Sequence, residues 1–531
     1  MPNSNTSPPP ATVSRRRFGT LVMGGGAYLL AGGCARPIGS GPGASAGPAL
    51  YGATAYSDGL RRSAPEEQGV SSAAILAFLA EVEAAGLELH GMMLMRNRHV
   101  VAEGWWWPYR ADRVHITHSL TKSVTACAVG LAIDEGRFGL DDKVAGFFPQ
   151  YLPADASANQ RAMTVRDLLT MQTGHVVETS GSVWRPIETS WVAEFFKIPV
   201  PERPGTRFLY TSAASYMLSA IITRTTGQPM AEYLRPRLLE PLGIDNWRWD
   251  TSPGGISPGA NGLTWTTAAS LKLGDLHAQR GMWNGNRVLS DAWVRAATAK
   301  QVANKDDGYG YQWWMGPGGS YYALGLFTQL AIVFPAADAT LAIFGAIDKS
   351  SRLKPIIWKH FPAAFGAATA GRTAAAAELA AETKGLRLLP PLAAVTTPGG
   401  RARSGRYTVE ANDQGVRWVS FDLSASMCDY RMADEHGEHR ISAGLTDYVE
   451  QDTTMTGNRL HHEYRPATMR VVAGARWRDA DTLEMTWQFV ESAFRDTVIC
   501  RFHGNAVSVD RSVNVNSSEM SLPTLRAVRT K

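Results

Sequence analysis

The stretch Thr117-His118-Ser119-Leu120-Thr121-Lys122-Ser123, followed by the apolar run from Val124 to Gly136, decides the reading of this 531-residue chain. Ser119 and Lys122 are three apart, so on a helix they share a face. A lysine held there can take the serine's proton once burial or a second cation lowers its pKa enough to leave free amine at neutral pH. The bland alternative is an N-cap serine followed by a solvated lysine. The run behind the motif argues against that, because a helix that is apolar on nearly every face is a buried one. Ser119 is therefore the candidate nucleophile and Lys122 its candidate base.

Working outward, a chain of this length exceeds one hydrophobic core and predicts two domains with appendages. Apolar content of 44% and charged content of 19% are ordinary for a folded protein. The net charge of +5 includes Arg15, Arg16 and Arg17 near the start, and no dense basic run follows, so nucleic acid is not an expected partner. Four scattered cysteines form neither a zinc pattern nor a disulfide scaffold, and no metal or cofactor is expected. Cys127 sits within the apolar helix and reads as core, whereas Cys428 and Cys500 could pair after export.

Paired arginines before a short Gly-rich apolar run, Thr20 to Gly33, resemble a twin-arginine export signal and predict a periplasmic or cell-envelope location. Leu30-Ala31-Gly32-Gly33-Cys34 resembles a lipoprotein cleavage site, with its apolar residue one place early, so Cys34 is a candidate for lipidation and membrane anchoring. Ala44-Ser45-Ala46 offers an ordinary cleavage alternative. Residues 1–62 thus read as signal and flexible tether, 63–385 as a globular domain, 386–403 as a linker and 404–531 as an all-β domain of short alternating strands.

Within the globular domain, Ser71 and Ser72 cap a helix to about Ala85, and Gly91–Met95 with His99–Trp106 predicts a hairpin. Trp105 to Trp107 read as sheet cover. His175, beyond a helix end, is expected to act as a dipole partner in preference to a site residue. Tyr210 and Ser212 stand where a loop enters the helix from Ser212 to Thr225, and Tyr210 could relay protons if a nearby lysine favours its phenolate. Tyr309 to Trp314 reads as a strand, followed by two long strands, Tyr321–Phe334 and Thr340–Ile347.

Together, Ser119-Leu120-Thr121-Lys122, Tyr210-Thr211-Ser212 and the terminal hairpin resemble the serine hydrolases related to class C β-lactamases, penicillin-binding proteins and family VIII esterases. Ile133-Asp134-Glu135-Gly136 and Pro241-Leu242-Gly243-Ile244 add to the resemblance, which covers roughly residues 63 to 365. It implies an α+β fold with an antiparallel sheet flanked by helices and a helical subdomain, followed here by a small all-β domain. It also implies that Ser119 is the nucleophile, Lys122 the general base and Tyr210 the group that passes a proton to the leaving group.

By the same resemblance, the third motif, usually Lys-Thr-Gly or His-x-Gly, falls at Ala323-Leu324-Gly325. Gly325 remains, which would let substrate lie close to the strand, while the cation that holds a substrate carboxylate is missing. The oxyanion donors fall at the backbone of Ser119 and Leu326, and Ser212 replaces the more usual asparagine. The expectation is an exported serine hydrolase of a small carboxylic ester, or less readily an amide, lacking that carboxylate. The alternatives are a β-lactamase or D-alanyl peptidase with an arginine elsewhere, and a penicillin-binding-like receptor that has lost catalysis.

Overall fold

The computed structural model describes residues 57–178, 180–366, 374–392 and 400–530. The expected export signal, Cys34, nearly all of the expected tether and part of the expected linker lie outside the described residues.

A mostly antiparallel sheet runs in the order Arg61–Arg62, His99–Trp105, Leu89–Arg96, Ala339–Gly345, Gln329–Phe334, Tyr321–Gly325, Trp314–Met315. The hairpin predicted around Asn97-Arg98 forms because both residues take positive φ, 48° and 59°, as a tight two-residue turn demands. One face packs under the helices Ser72–Ala84 and Lys354–Ala364, the first capped by the Ser71 hydroxyl on the Ala74 N–H. The other face meets the helix Thr267–Ala278 and a helical subdomain. At the centre of that subdomain runs Thr121–Asp134, buried on every side from Thr121 to Gly130.

Two strand expectations fail for the same kind of reason. The run from Tyr321 breaks at Leu326-Phe327-Thr328, where Phe327 and Thr328 take φ of 64° and 75°, so two strands form in place of one. The Tyr309–Trp314 segment is irregular, with Gln312 at φ 62°, and only Trp314–Met315 joins the sheet. Residue types suited to strands were overridden by tertiary contacts: the Gln312 side chain donates to the Leu168 and Leu169 carbonyls and accepts from Ser215.

From Gly405 onward ten strands form a closed barrel. Gly405–Val409 pairs with Leu525–Arg529, and the circuit is completed where Gly444 meets Gly474. Alternation places Leu483, Met485, Trp487 and Phe489 inside, opposite Val498, Cys500 and Phe502. Cys428 and Cys500 do not pair. Both are free and buried in this apolar interior, which pushes both thiols up and leaves them inert, as it does Cys127.

The barrel is fastened to the seven-stranded sheet and its neighbouring loops through ion pairs at Glu88–Arg495, Arg113–Glu450 and Arg248–Glu491, each 2.7 Å. Backbone joins them too: the Ile116 N–H donates to the Glu491 carbonyl at 2.8 Å, three residues before Ser119. Phe327 packs edge-on against Phe494 of the barrel.

Candidate active site

Ser119 lies in a single 3-10 turn, His118–Leu120, immediately ahead of the buried helix, and Lys122 is that helix's second residue. The turn is reached through His118 at φ 47°, a left-handed conformation uncommon for residues other than glycine, though histidine adopts it more readily than most. Surrounding contacts hold it there. The Thr117 N–H and hydroxyl both donate to the Leu263 carbonyl, at 2.9 and 2.8 Å, and the His118 ring packs edge-on to Phe327 and His462. Ser119 is left partly exposed while Lys122 is only 1% exposed.

Lys122 Nζ stands 2.9 Å from Ser119 Oγ, 3.0 Å from the Ala260 carbonyl and 3.3 Å from Ser212 Oγ. Burial lowers its pKa to about 7, opposed only in part by the Glu178 carboxylate. A sizeable fraction is therefore neutral amine near pH 7. In that state two N–H bonds serve the Ala260 carbonyl and Ser212 hydroxyl, and the lone pair faces the Ser119 proton.

Tyr210 flanks the pair, with Lys122 Nζ 5.0 Å from its ring centroid and Trp314 tilted against its other surroundings at 5.2 Å. Burial raises its pKa, and interaction with the Ser119 hydroxyl offsets this only in part. The condition set from sequence, a lysine that favours the phenolate, is thus not met. Tyr210 is a phenol with a proton to donate.

Ser212 opens the helix Ser212–Thr226, which Thr211 caps, and this junction turns its hydroxyl to Lys122. A Cβ at Gly325 would stand 2.1 Å from the Thr117 carbonyl, so the glycine admits the backbone of the turn that carries Ser119. Leu326 opens the turn between the two strands, and Ser119 lies in the first turn leading into the helix, where backbone N–H groups lack intrahelical acceptors. His175 is no dipole cation. Buried and bonded through Nδ1 to Thr173 Oγ1 at 2.8 Å, it has a pKa lowered to about 4 and stays neutral.

Two contributors escaped sequence reasoning. The Ala260 carbonyl fixes the lysine, and nothing about an alanine marks it in advance. Glu178 accepts from the Ser212 N–H at 3.0 Å and from the Ser180 N–H at 2.7 Å, and its charge is felt by both Lys122 and Tyr210. It lies on an irregular loop without periodicity to flag it. Among the described residues no group of His, Cys, Asp and Glu is placed to hold a metal ion.

Several known proteins resemble this chain. Esterase EstB of Burkholderia gladioli is 28% identical over 171 residues, 29% of this chain and 43% of that protein, so the match spans less than half of the esterase. The 6-aminohexanoate-dimer hydrolase of Paenarthrobacter ureafaciens is 26% identical over 279 residues, 47% of this chain and 70% of that one. A putative 6-aminohexanoate-dimer hydrolase from Bacillus anthracis superposes with a TM-score of 0.48 at 18% identity, covering 54% of this chain and 80% of its own. The Beta-lactamase family model matches residues 75–357, from the first long helix through the last sheet strand and into the helix behind it, with the Ser119–Lys122 pair inside the match, and the chain belongs to the Beta-lactamase family.

Proposed function

We propose that this hydrolase forms an acyl-enzyme on Ser119 and cleaves carboxylic esters, amides less readily, whose acyl part carries no β-lactam-type carboxylate. The observation that carries the reading is the 2.9 Å contact between Ser119 Oγ and a buried Lys122 with a pKa of about 7. Lys122 accepts the Ser119 proton as Oγ attacks the acyl carbon. Negative charge on the carbonyl oxygen is met by the N–H groups of Ser119 and Leu326. Collapse expels the alcohol, which takes a proton from the Tyr210 phenol, Lys122 restoring it. Water then repeats the sequence on the acyl-enzyme and releases the acid.

The ester preference is supported by Ala323, which offers no cation where the family usually has one, and by the anionic Glu178 beside the site. Arg185 is no ready substitute anchor, being tied to the His462 carbonyl and stacked over Tyr464. The names of the relatives, an esterase and a dimer hydrolase, agree with an acyl-hydrolysing site. The leader supports delivery to the periplasm or cell envelope by a twin-arginine route, with Cys34 as the anchor.

The test is a panel of p-nitrophenyl esters, nitrocefin and D-alanyl peptides, together with a fluorophosphonate label, against the wild type and Ser119→Ala. Ester turnover and labelling that both vanish in the variant support the proposal. Retained labelling would refute Ser119 as nucleophile, and nitrocefin turnover exceeding that of the esters would refute the substrate class. Replacing Arg15 and Arg16 by lysine should retain the protein in the cytoplasm.

A further inference from the structure

Loops that join strands ordinarily run over the surface, where water satisfies their backbone. The barrel loop 490–494, between the strands Thr482–Phe489 and Arg495–His503, departs from this: Val490, Ser492, Ala493 and Phe494 are all fully buried. What covers the loop is the other domain. The Glu491 carbonyl accepts from the Ile116 N–H at 2.8 Å, the Ser492 carbonyl accepts from the Tyr109 hydroxyl at 2.7 Å, and the Phe494 ring lies edge-on to Phe327 at 5.6 Å. Ile116 and Phe327 belong to the same apolar cluster as the barrel interior, and Leu326 packs against it.

These contacts fall on both halves of the proposed oxyanion hole. Ile116 stands three residues before Ser119, and Phe327 directly follows Leu326. The backbone beside both donors takes conformations that most side chains avoid, with φ 47° at His118, 64° at Phe327 and 75° at Thr328. Such conformations persist where the surroundings over-determine them. The Phe327 ring is enclosed by three others: Phe494 at 5.6 Å, His118 at 5.6 Å and His462, from a second barrel segment, at 6.2 Å. His462 is itself held from both sides, its Nδ1 bonded to Ser517 Oγ at 2.5 Å and its carbonyl accepting from Arg185. His118 Nε2 is buried with no hydrogen-bond partner, so packing against Phe327 and His462 fixes that edge of the ring. Phe494 is backed by His461, stacked on it at 4.4 Å. The hydrolase domain contributes too, through the Ile347 N–H on the Phe327 carbonyl at 3.1 Å.

We propose that the barrel is a positioning element for the oxyanion hole: its loop 490–494 grips Ile116 on one side and Phe327 on the other, fixing the Ser119 and Leu326 N–H groups relative to each other. This role rests on the acyl chemistry proposed for Ser119. An oxyanion donor is effective because it is aimed before charge develops, and a misplacement of about 1 Å costs up to about a hundredfold in rate. The barrel thus acts on the chemical step without touching substrate.

The test is steady-state kinetics of the full chain on a p-nitrophenyl ester, with inhibition by an arylboronic acid, whose tetrahedral adduct on Ser119 places an anionic oxygen in the hole. Phe494→Leu removes the ring against Phe327 and should lower kcat about tenfold and raise the boronate Ki about tenfold, with KM within about twofold. Phe489→Leu trims another ring packed on His461, at 4.7 Å, outside the three rings around Phe327, and should leave all three quantities within about twofold. Phe327→Gly should keep about threefold more kcat than Phe327→Ala although it is the larger truncation, because glycine takes φ 64° freely. An unchanged kcat in Phe494→Leu, equal losses in the two leucine variants, or Phe327→Ala matching or exceeding Phe327→Gly would overturn the barrel's role and leave the acyl chemistry standing. A wild type whose Ser119 takes no fluorophosphonate label would overturn that chemistry, and this role with it.

Discussion

Replacing Lys122 by methionine should cost the enzyme its activity and raise its stability, and the pH dependence of that gain tests the buried amine directly. Lys122 falls from an ordinary value of 10.5 to about 7 in the folded chain. Between those values the unfolded chain holds a proton that the folded chain does not. At about 1.4 kcal/mol per pKa unit, protonation favours the unfolded chain by about 4 kcal/mol near pH 7 and by less than about 1 kcal/mol near pH 10. The sign follows from a depressed lysine: stability is lost as pH falls from about 10.5 towards 7. Methionine fills a similar volume without this linkage. It also leaves the Ala260 carbonyl without its donor, an offset of about 1–3 kcal/mol that does not vary with pH. The Lys122→Met advantage should therefore shrink by about 3 kcal/mol between about pH 7 and pH 10, read from urea denaturation of both proteins. Fluorophosphonate labelling should slow by about 10²–10⁴-fold. Parallel stability curves for the two proteins would refute a neutral amine at Lys122.

Glu178→Gln removes a carboxylate that raises the Lys122 pKa, so the acid limb of kcat/KM, set near 7 in the wild type, should move to lower pH. A limb that stays put in a pH–rate profile would separate Glu178 from the site. Gly325→Ala sets a methyl 2.1 Å from the Thr117 carbonyl and should destabilise by about 1–3 kcal/mol while displacing Ser119, seen as a lower Tm and a fall in kcat greater than any rise in KM. Asp496→Asn leaves Arg511 without its buried counter-charge and should cost about 3–5 kcal/mol in denaturant unfolding.

Much of this architecture was legible because it is local. Ser119 and Lys122 lie within one turn of an apolar helix, Tyr210 and Ser212 at one loop-to-helix junction, and the barrel strands alternate visibly along their length. The misses share a different origin. The Ala260 carbonyl, the Glu178 loop and the Thr117 carbonyl against Gly325 are brought in from distant parts of the chain, where the residue type says nothing about the partner. The break at Phe327 and Thr328 is likewise invisible, since neither residue favours positive φ and only the surrounding packing holds them there. In the sequence the charge of Tyr210 is conditional on a nearby lysine, and burial of both groups leaves each closer to neutral.

The bond from the Ile116 N–H to the Glu491 carbonyl carries a consequence for how the enzyme is made. Its two ends are separated by most of the chain, and contacts so distant in sequence form late because their loop must first be closed. During synthesis, Ser119 and Lys122 leave the ribosome long before the barrel strands that brace the turn between them and the sheet. The nascent chain therefore carries Ser119 and Lys122 before the Glu491 carbonyl that holds Ile116 has been made.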